Sequence, residues 1–139
     1  MIEIKFIPKK ELASILPFLE MLDKNIDKQI LIERLSYMKE TGYQCVGVYN
    51  SQKLIGISGL WILCKYYVGK HIELDNVIIH PDYRGKRIGE QMMQWIHNYA
   101  KSIGCTRSEL NCYVRNSKGL KFYMNCGYEM MSFHLKKNI

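Results

Sequence analysis

The sequence predicts a mixed α/β (α+β) fold, a mixed central sheet with helices on both faces. Three observations predict it. Segments of strand-like and helix-like hydrophobic periodicity follow one another in the order β-α-α-β-β-β-α-β-α-β. Three consecutive strands joined by short turns imply antiparallel pairing, since a short connection folds the chain straight back. The later strand-helix-strand units require parallel crossovers, which makes the sheet mixed.

Taken in order, Ile2, Ile4 and Phe6 alternate with Glu3 and Lys5 as a first strand, which Pro8 ends. Leu12, Ile15, Leu16, Leu19 and Leu22 fall on one helical face, with Pro17 kinking that helix or starting a second one. A further helix runs from Asp27, with Ile30, Leu31, Leu35 and Met38 inward, and stops at Gly42. Gln44 to Tyr49 and Leu54 to Leu63 read as strands joined by the turn Asn50-Ser51-Gln52-Lys53. The aromatic group Trp61, Tyr66 and Tyr67 reads as sheet packing before it reads as a stacking surface.

Residues 71 to 104 are the stretch around which the chain is organised. Ile72 and Leu74 alternate, and then Val77, Ile78 and Ile79 are apolar on both faces, as in a central strand. Pro81 closes that strand. Ile88, Met92, Trp95 or Ile96, Tyr99 and Ile103 recur at helical spacing until Gly104. Between the two lies Arg84-Gly85-Lys86-Arg87-Ile88-Gly89. A helix amino terminus offers unpaired N–H groups and the positive end of the dipole, and here cations and glycines surround them. The residues describe a phosphate-binding turn. It is neither the Gly-x-x-x-x-Gly-Lys-Ser/Thr loop nor Gly-x-Gly-x-x-Gly.

After the long helix, Arg107 to Val114 is expected as a strand. Asn116 to Cys126 reads as a short helix capped by Asn116 or Ser117, and Tyr128 to Lys136 as a last strand. No internal repeat or linker interrupts the 139 residues, which read as one domain.

Composition narrows the function classes. Hydrophobic residues make up 47% and charged ones 24%, a globular profile with no apolar run long enough to span a membrane. The start of the chain lacks the pattern of a signal peptide, so a cytoplasmic protein is expected. Five cysteines without a Cys-x-x-Cys pair argue for reduced thiols, and four scattered histidines suggest no metal site. The net charge of +7 is concentrated in residues 80 to 139, where ten Lys/Arg face four Asp/Glu. That suits a ligand with several phosphates; nucleic acid is the rival explanation.

The Arg84 to Gly89 turn resembles motif A of the GNAT (GCN5-related N-acetyltransferase) superfamily, Arg/Gln-x-x-Gly-x-Gly/Ala, with Arg87 in place of the first glycine. Asn116-x-x-Gly119-x-x-Phe122-Tyr123-x-x-x-Gly127-Tyr128 is similar to the family's motif B. The resemblance spans roughly residues 43 to 133. It implies a GNAT-like sheet, mixed but mostly antiparallel, of about six to seven strands with helices on both faces, with acetyl-CoA as co-substrate and no metal. Val77, Ile78 and Ile79 would lie along the pantetheine arm, with Val77 and Ile79 offering backbone groups. The amides of Arg84, Gly85, Lys86, Arg87, Ile88, Gly89 and Glu90 would hold the pyrophosphate. Asn116 would hydrogen-bond the pantetheine, and Lys118 or Lys121 would meet the ribose phosphate. Tyr123 would be the general acid beside the thioester sulfur. Glu73 matches in position the glutamate that the family's histone acetyltransferases use as base, and the break in alternation at Asp75-Asn76 matches the family's strand bulge.

Amine acetylation needs a base for the amine, N–H donors for the oxyanion and a proton for the thiolate. Glu73, Asp75 or a water relay would be the base and Tyr123 the acid. The expected function is acetyl transfer to a primary amine of a small molecule or peptide by direct attack in a ternary complex, without nucleic-acid or membrane partners. The family also contains homodimers, and none of its interfaces is legible here. Two other readings stand beside it: a CoA-binding module of the same fold without catalysis, and a small basic nucleic-acid-binding domain.

Overall fold

The computed structural model describes all 139 residues. Strand β1 (Ile2–Phe6) leads through a 3₁₀ segment, Lys9–Ile15, into helix α1 (Leu16–Leu22). Pro17 falls in the first turn of α1, where its missing N–H costs no hydrogen bond, so it starts a helix and does not kink one. Helix α2 (Lys28–Glu40) is capped by the Asp27 carboxylate, which accepts from the Gln29 amide. Strands β2 (Gln44–Asn50) and β3 (Lys53–Lys65) form a hairpin. Its two loop residues, Ser51 and Gln52, both have positive φ, the geometry whose twist matches a tight hairpin.

Strand β4 (Gly69–Ile79), helix α3 (Ile88–Ser102), strand β5 (Ser108–Leu110) and helix α4 (Ser117–Asn125) complete the chain. The sheet has five strands in the order β1-β2-β3-β4-β5, antiparallel up to β4, with β5 parallel to β4. No helix is long and apolar enough to cross a membrane.

The strand count falls short of the six to seven expected. The strand foreseen over Arg107 to Val114 keeps only Ser108–Leu110, and Tyr128 to Lys136 forms no strand at all. A period-2 pattern makes a strand only where an edge of matching length is available, and a three-residue β5 offers too short a ladder.

Two cores lie on opposite faces of the sheet. One packs Leu12, Ile15, Phe18, Leu31 and Leu35 against Cys45, Ile57 and Ile78. The other packs Ile88, Met92, Met93 and Ile96 of α3 against Val46, Val48, Leu60, Ile72 and Leu74. In β4 the pairing with β3 slips between Asp75 and Ile78, where Asn76 adopts φ 53°. This is the bulge expected at Asp75-Asn76, and it shifts the alternation by one. Ile72 and Leu74 face α3 before the bulge, and Val77 and Ile79 face it afterwards. The mixed periodicity of the sequence there is one strand with an extra residue.

Candidate functional site

Two features of β4 prepare a site. β5 accompanies β4 only from Ile72 to Leu74, so the edge of β4 from Asp75 to Ile79 has no strand beside it. The chain then passes a 3₁₀ turn, Pro81–Tyr83, and reaches α3 through Arg84 to Arg87. None of the backbone amides from Gly85 to Glu90 donates to another group of the protein; the first paired amide is that of Gln91, to the Arg87 carbonyl. Six consecutive N–H groups at the positive end of a fifteen-residue helix make a candidate anion cradle.

The side chains around the cradle divide their work. Arg84 Nε donates to the Ile79 carbonyl at 2.9 Å, which ties the turn to the end of β4 and occupies one of the two backbone positions expected to meet a ligand. Arg87 is the residue before the helix and is left-handed, with φ 61° and ψ 17°. A glycine would take that conformation freely, whereas an arginine takes it at a cost. Arg87 pairs with Glu90 at 3.2 Å on the exposed surface. Lys86 lies over the Tyr83 ring at 5.5 Å, and Lys53 approaches the same ring at 5.9 Å. Lys53 comes from the β2–β3 turn, and its sequence position, thirty residues away, carries no sign of this.

Gly89 serves packing. A Cβ at Gly89 would stand 3.1 Å from the Phe122 ring, so the missing side chain lets α4 close against the first turn of α3. This contact brings the Asn116 to Tyr128 segment to the cradle. Asn116 Oδ1 accepts from the Gly119 amide at 3.0 Å and caps α4, which leaves its Nδ2 for an outside partner. Lys118 and Lys121 are exposed. Tyr123 is partly buried against the α3-side core, between the rings of Phe122 and Tyr128. Burial, with the neighbouring Cys112, Tyr128 and Cys126, pushes its phenol well above the ordinary tyrosine value, so the group stays protonated.

The three acidic or imidazole side chains of β4 at His71, Glu73 and Asp75 point to the face opposite Ile72 and Leu74. Asp75 Oδ2 accepts from Trp61 Nε1 at 3.1 Å, and the Tyr43 hydroxyl donates to Asn76 Oδ1 at 3.0 Å. Tyr43 and Trp61 meet edge to face at 5.3 Å, so the aromatic group is partly a brace for the bulge. Glu73 Oε2 is buried without a hydrogen-bond partner, 3.5 Å from His71 Nε2. Opposite Glu73 in β5 stands Glu109. A cleft of about 200 Å³ opens onto both glutamates, closed on its far side by Met131 to His134. A second cleft, about 460 Å³, lies between the ends of β1 and α2; Tyr43 lines it, and none of the acidic or imidazole groups of β4 does.

A family model described as "Acetyltransferase (GNAT) family" matches residues 12–128. A probable glucosamine 6-phosphate N-acetyltransferase of Drosophila melanogaster is 28% identical over 121 residues, which cover 80% of this chain and 54% of that protein. An aminoalkylphosphonate N-acetyltransferase of Salmonella typhimurium is 28% identical over 65 residues, covering 47% of this chain and 42% of that protein. The chain thus spans about half the length of these relatives. Among solved structures, a glucosamine-6-phosphate N-acetyltransferase from Arabidopsis thaliana superposes with a TM-score of 0.73 at 20% identity, covering 99% and 98% of the two chains. The aminoglycoside N-acetyltransferase AAC(6')-Iy in complex with CoA superposes with a TM-score of 0.86 at 12% identity, covering 100% and 95%. At these identities the structures share the fold.

Proposed function

The chain belongs to the GNAT acetyltransferase family, and from that membership we propose that it transfers the acetyl group of acetyl-CoA to a primary amine of a small molecule or peptide. The observation that carries the proposal is the run of unpartnered amides from Gly85 to Glu90 beside the open edge of β4. A diphosphate fits such a cradle by charge and by hydrogen bonding, and an extended pantetheine arm fits beside a strand whose neighbour has ended. Acetyl-CoA, when bound, supplies the activated acyl group. Val77 offers backbone groups to the arm, while the Ile79 carbonyl is already held by Arg84. Asn116 Nδ2 remains for the pantetheine amides, and Lys118 or Lys121 for the ribose phosphate.

Of the two carboxylates, Glu73 is the better base. Its Oε2 has no hydrogen-bond partner and is free to meet an amine, whereas Asp75 Oδ2 is already engaged by Trp61 Nε1. Tyr123 is neutral at every working pH and acts by donating a hydrogen bond to the departing sulfur. Its raised pKa makes it a weaker acid than an exposed tyrosine, so stabilisation of developing thiolate charge precedes any full proton transfer. No covalent intermediate is invoked: attack is direct, in a ternary complex. The amines named for the glucosamine 6-phosphate and aminoalkylphosphonate relatives carry a phosphate or phosphonate, which places those two classes first in a substrate panel.

The test is isothermal titration with acetyl-CoA followed by thiol release with that panel, extended to polyamines, aminoglycosides and peptide amines. Binding with amine-dependent thiol release is expected. Binding without release from any amine leaves a CoA-binding module, and no binding removes the proposal.

A further inference from the structure

We propose that His71, Glu73 and Glu109 form a binding site for a first-row divalent transition ion, of which Zn²⁺ and Co²⁺ are representative. One ligand atom from each residue lies within 4.8 Å of the other two. His71 is fully buried, and its Nε2 has no hydrogen-bond partner. That nitrogen faces Glu73 Oε2 at 3.5 Å and Glu109 Oε1 at 3.9 Å. These separations are long for a charge-assisted hydrogen bond, which closes to about 2.7–2.9 Å. The shorter one is close to the spacing of two ligands on one ion, since nitrogen and oxygen at about 2.0–2.1 Å from a tetrahedral centre stand roughly 3.3 Å apart; the 3.9 Å separation closes to it by a small movement of the Glu109 carboxylate.

The surroundings agree. His71 Nδ1 lies 3.3 Å from the Gly69 carbonyl. An N–H donated there puts the lone pair on Nε2, the arrangement by which a backbone carbonyl orients a metal-binding imidazole. Glu109 Oε2 accepts from Arg107 at 3.2 Å and Oε1 from the Tyr67 hydroxyl at 3.3 Å, so its carboxylate is held in place with Oε1 directed at His71. Glu73 and Glu109 are directly paired across β4 and β5, where two like charges repel. A divalent ion removes that repulsion, and imidazole among the ligands favours a transition metal over Mg²⁺ or Ca²⁺. The cleft bounded by Met131 to His134 gives ions and water access to both carboxylates. An ion on Glu73 occupies the proposed base, so metal and acceptor amine are alternative occupants of that carboxylate.

The test reads binding and is independent of acetyl transfer. The tag-free 139-residue chain is dialysed to equilibrium against Zn²⁺ and, separately, Co²⁺, with the visible d–d absorption of Co²⁺ as a second readout. One ion per chain is expected, with a Zn²⁺-dependent rise in melting temperature. Glu109→Gln, at a partly exposed position, should weaken binding by about ten-fold or more, and His71→Gln should abolish it. Cys64→Ser, which removes an exposed thiol, should leave binding unchanged. The proposal is overturned if the wild-type chain takes up neither ion, if Glu109→Gln binds as well as wild type, or if Cys64→Ser abolishes uptake. Should His71→Gln fail to fold, Glu109→Gln and Glu73→Gln decide the matter.

Discussion

Arg87 stands where the motif that the turn resembles has a glycine, and its backbone takes the left-handed conformation that glycine favours. A left-handed arginine costs about 1–2 kcal/mol, and the relief that a glycine would bring is partly offset by the greater entropy it gives the unfolded chain. The exposed pair with Glu90 offsets little of this. Arg87→Gly is therefore expected to stabilise the protein by roughly 0.5–1 kcal/mol in urea unfolding while weakening acetyl-CoA through loss of a cation. A loss of stability would mean that the side chain makes a contact worth more than the strain. Tyr123 makes a separate case. Its hydroxyl has no partner within the protein, so Tyr123→Phe should leave stability nearly unchanged while lowering turnover on the order of a hundred-fold. Equal turnover across pH would remove Tyr123 from the mechanism.

At the scale of elements, the bulge in β4 and the brace behind it act together. Gly59 lies beside Tyr43, and a Cβ there would stand 2.4–2.7 Å from the phenol ring and hydroxyl. Burial keeps that phenol protonated and donating to Asn76. Gly59→Ala should destabilise the fold by about 1–3 kcal/mol through overpacking and loosen the bulge, seen as faster amide exchange at Asn76 and Val77. Behind α3, the Tyr128 hydroxyl lies 2.9 Å from His97 Nε2 and 2.6 Å from Ser108 Oγ, joining α3, β5 and the segment after α4. Burial lowers the pKa of His97, so the folded imidazole stays neutral where the unfolded one takes up a proton. Its contribution is intact above pH of about 6.5 and is lost as pH falls below that, through the lowered folded value. His97→Gln should flatten the fall in melting temperature between about pH 7 and 5; an unchanged slope would assign the effect elsewhere.

For the whole molecule, cations from separate parts of the chain meet at one cradle: Lys53 from the hairpin, and Arg84, Lys86 and Arg87 from the turn. Acetyl-CoA at about a hundred times its Kd should add roughly 2.7 kcal/mol of stability. That gain should shrink steeply as salt rises from about 0.01 to 1 M, over which the screening length falls from roughly 30 to 3 Å. Salt-independent binding would mean that amides alone hold the ligand. The amino-acid order by itself determined the strand-turn-helix unit of residues 71 to 104, the hairpin at Ser51-Gln52 and the short helix after Asn116, because periodicity, caps and turn chemistry act over a few residues. It also signalled the bulge, as a break in alternation. Only the tertiary structure decided that Tyr128 to Lys136 is no strand, since an edge strand exists by virtue of a partner. It alone placed Glu109 beside Glu73 and His71, and Lys53 beside Lys86: their neighbours lie some thirty or more residues away, and cross-strand register leaves no local mark in a sequence.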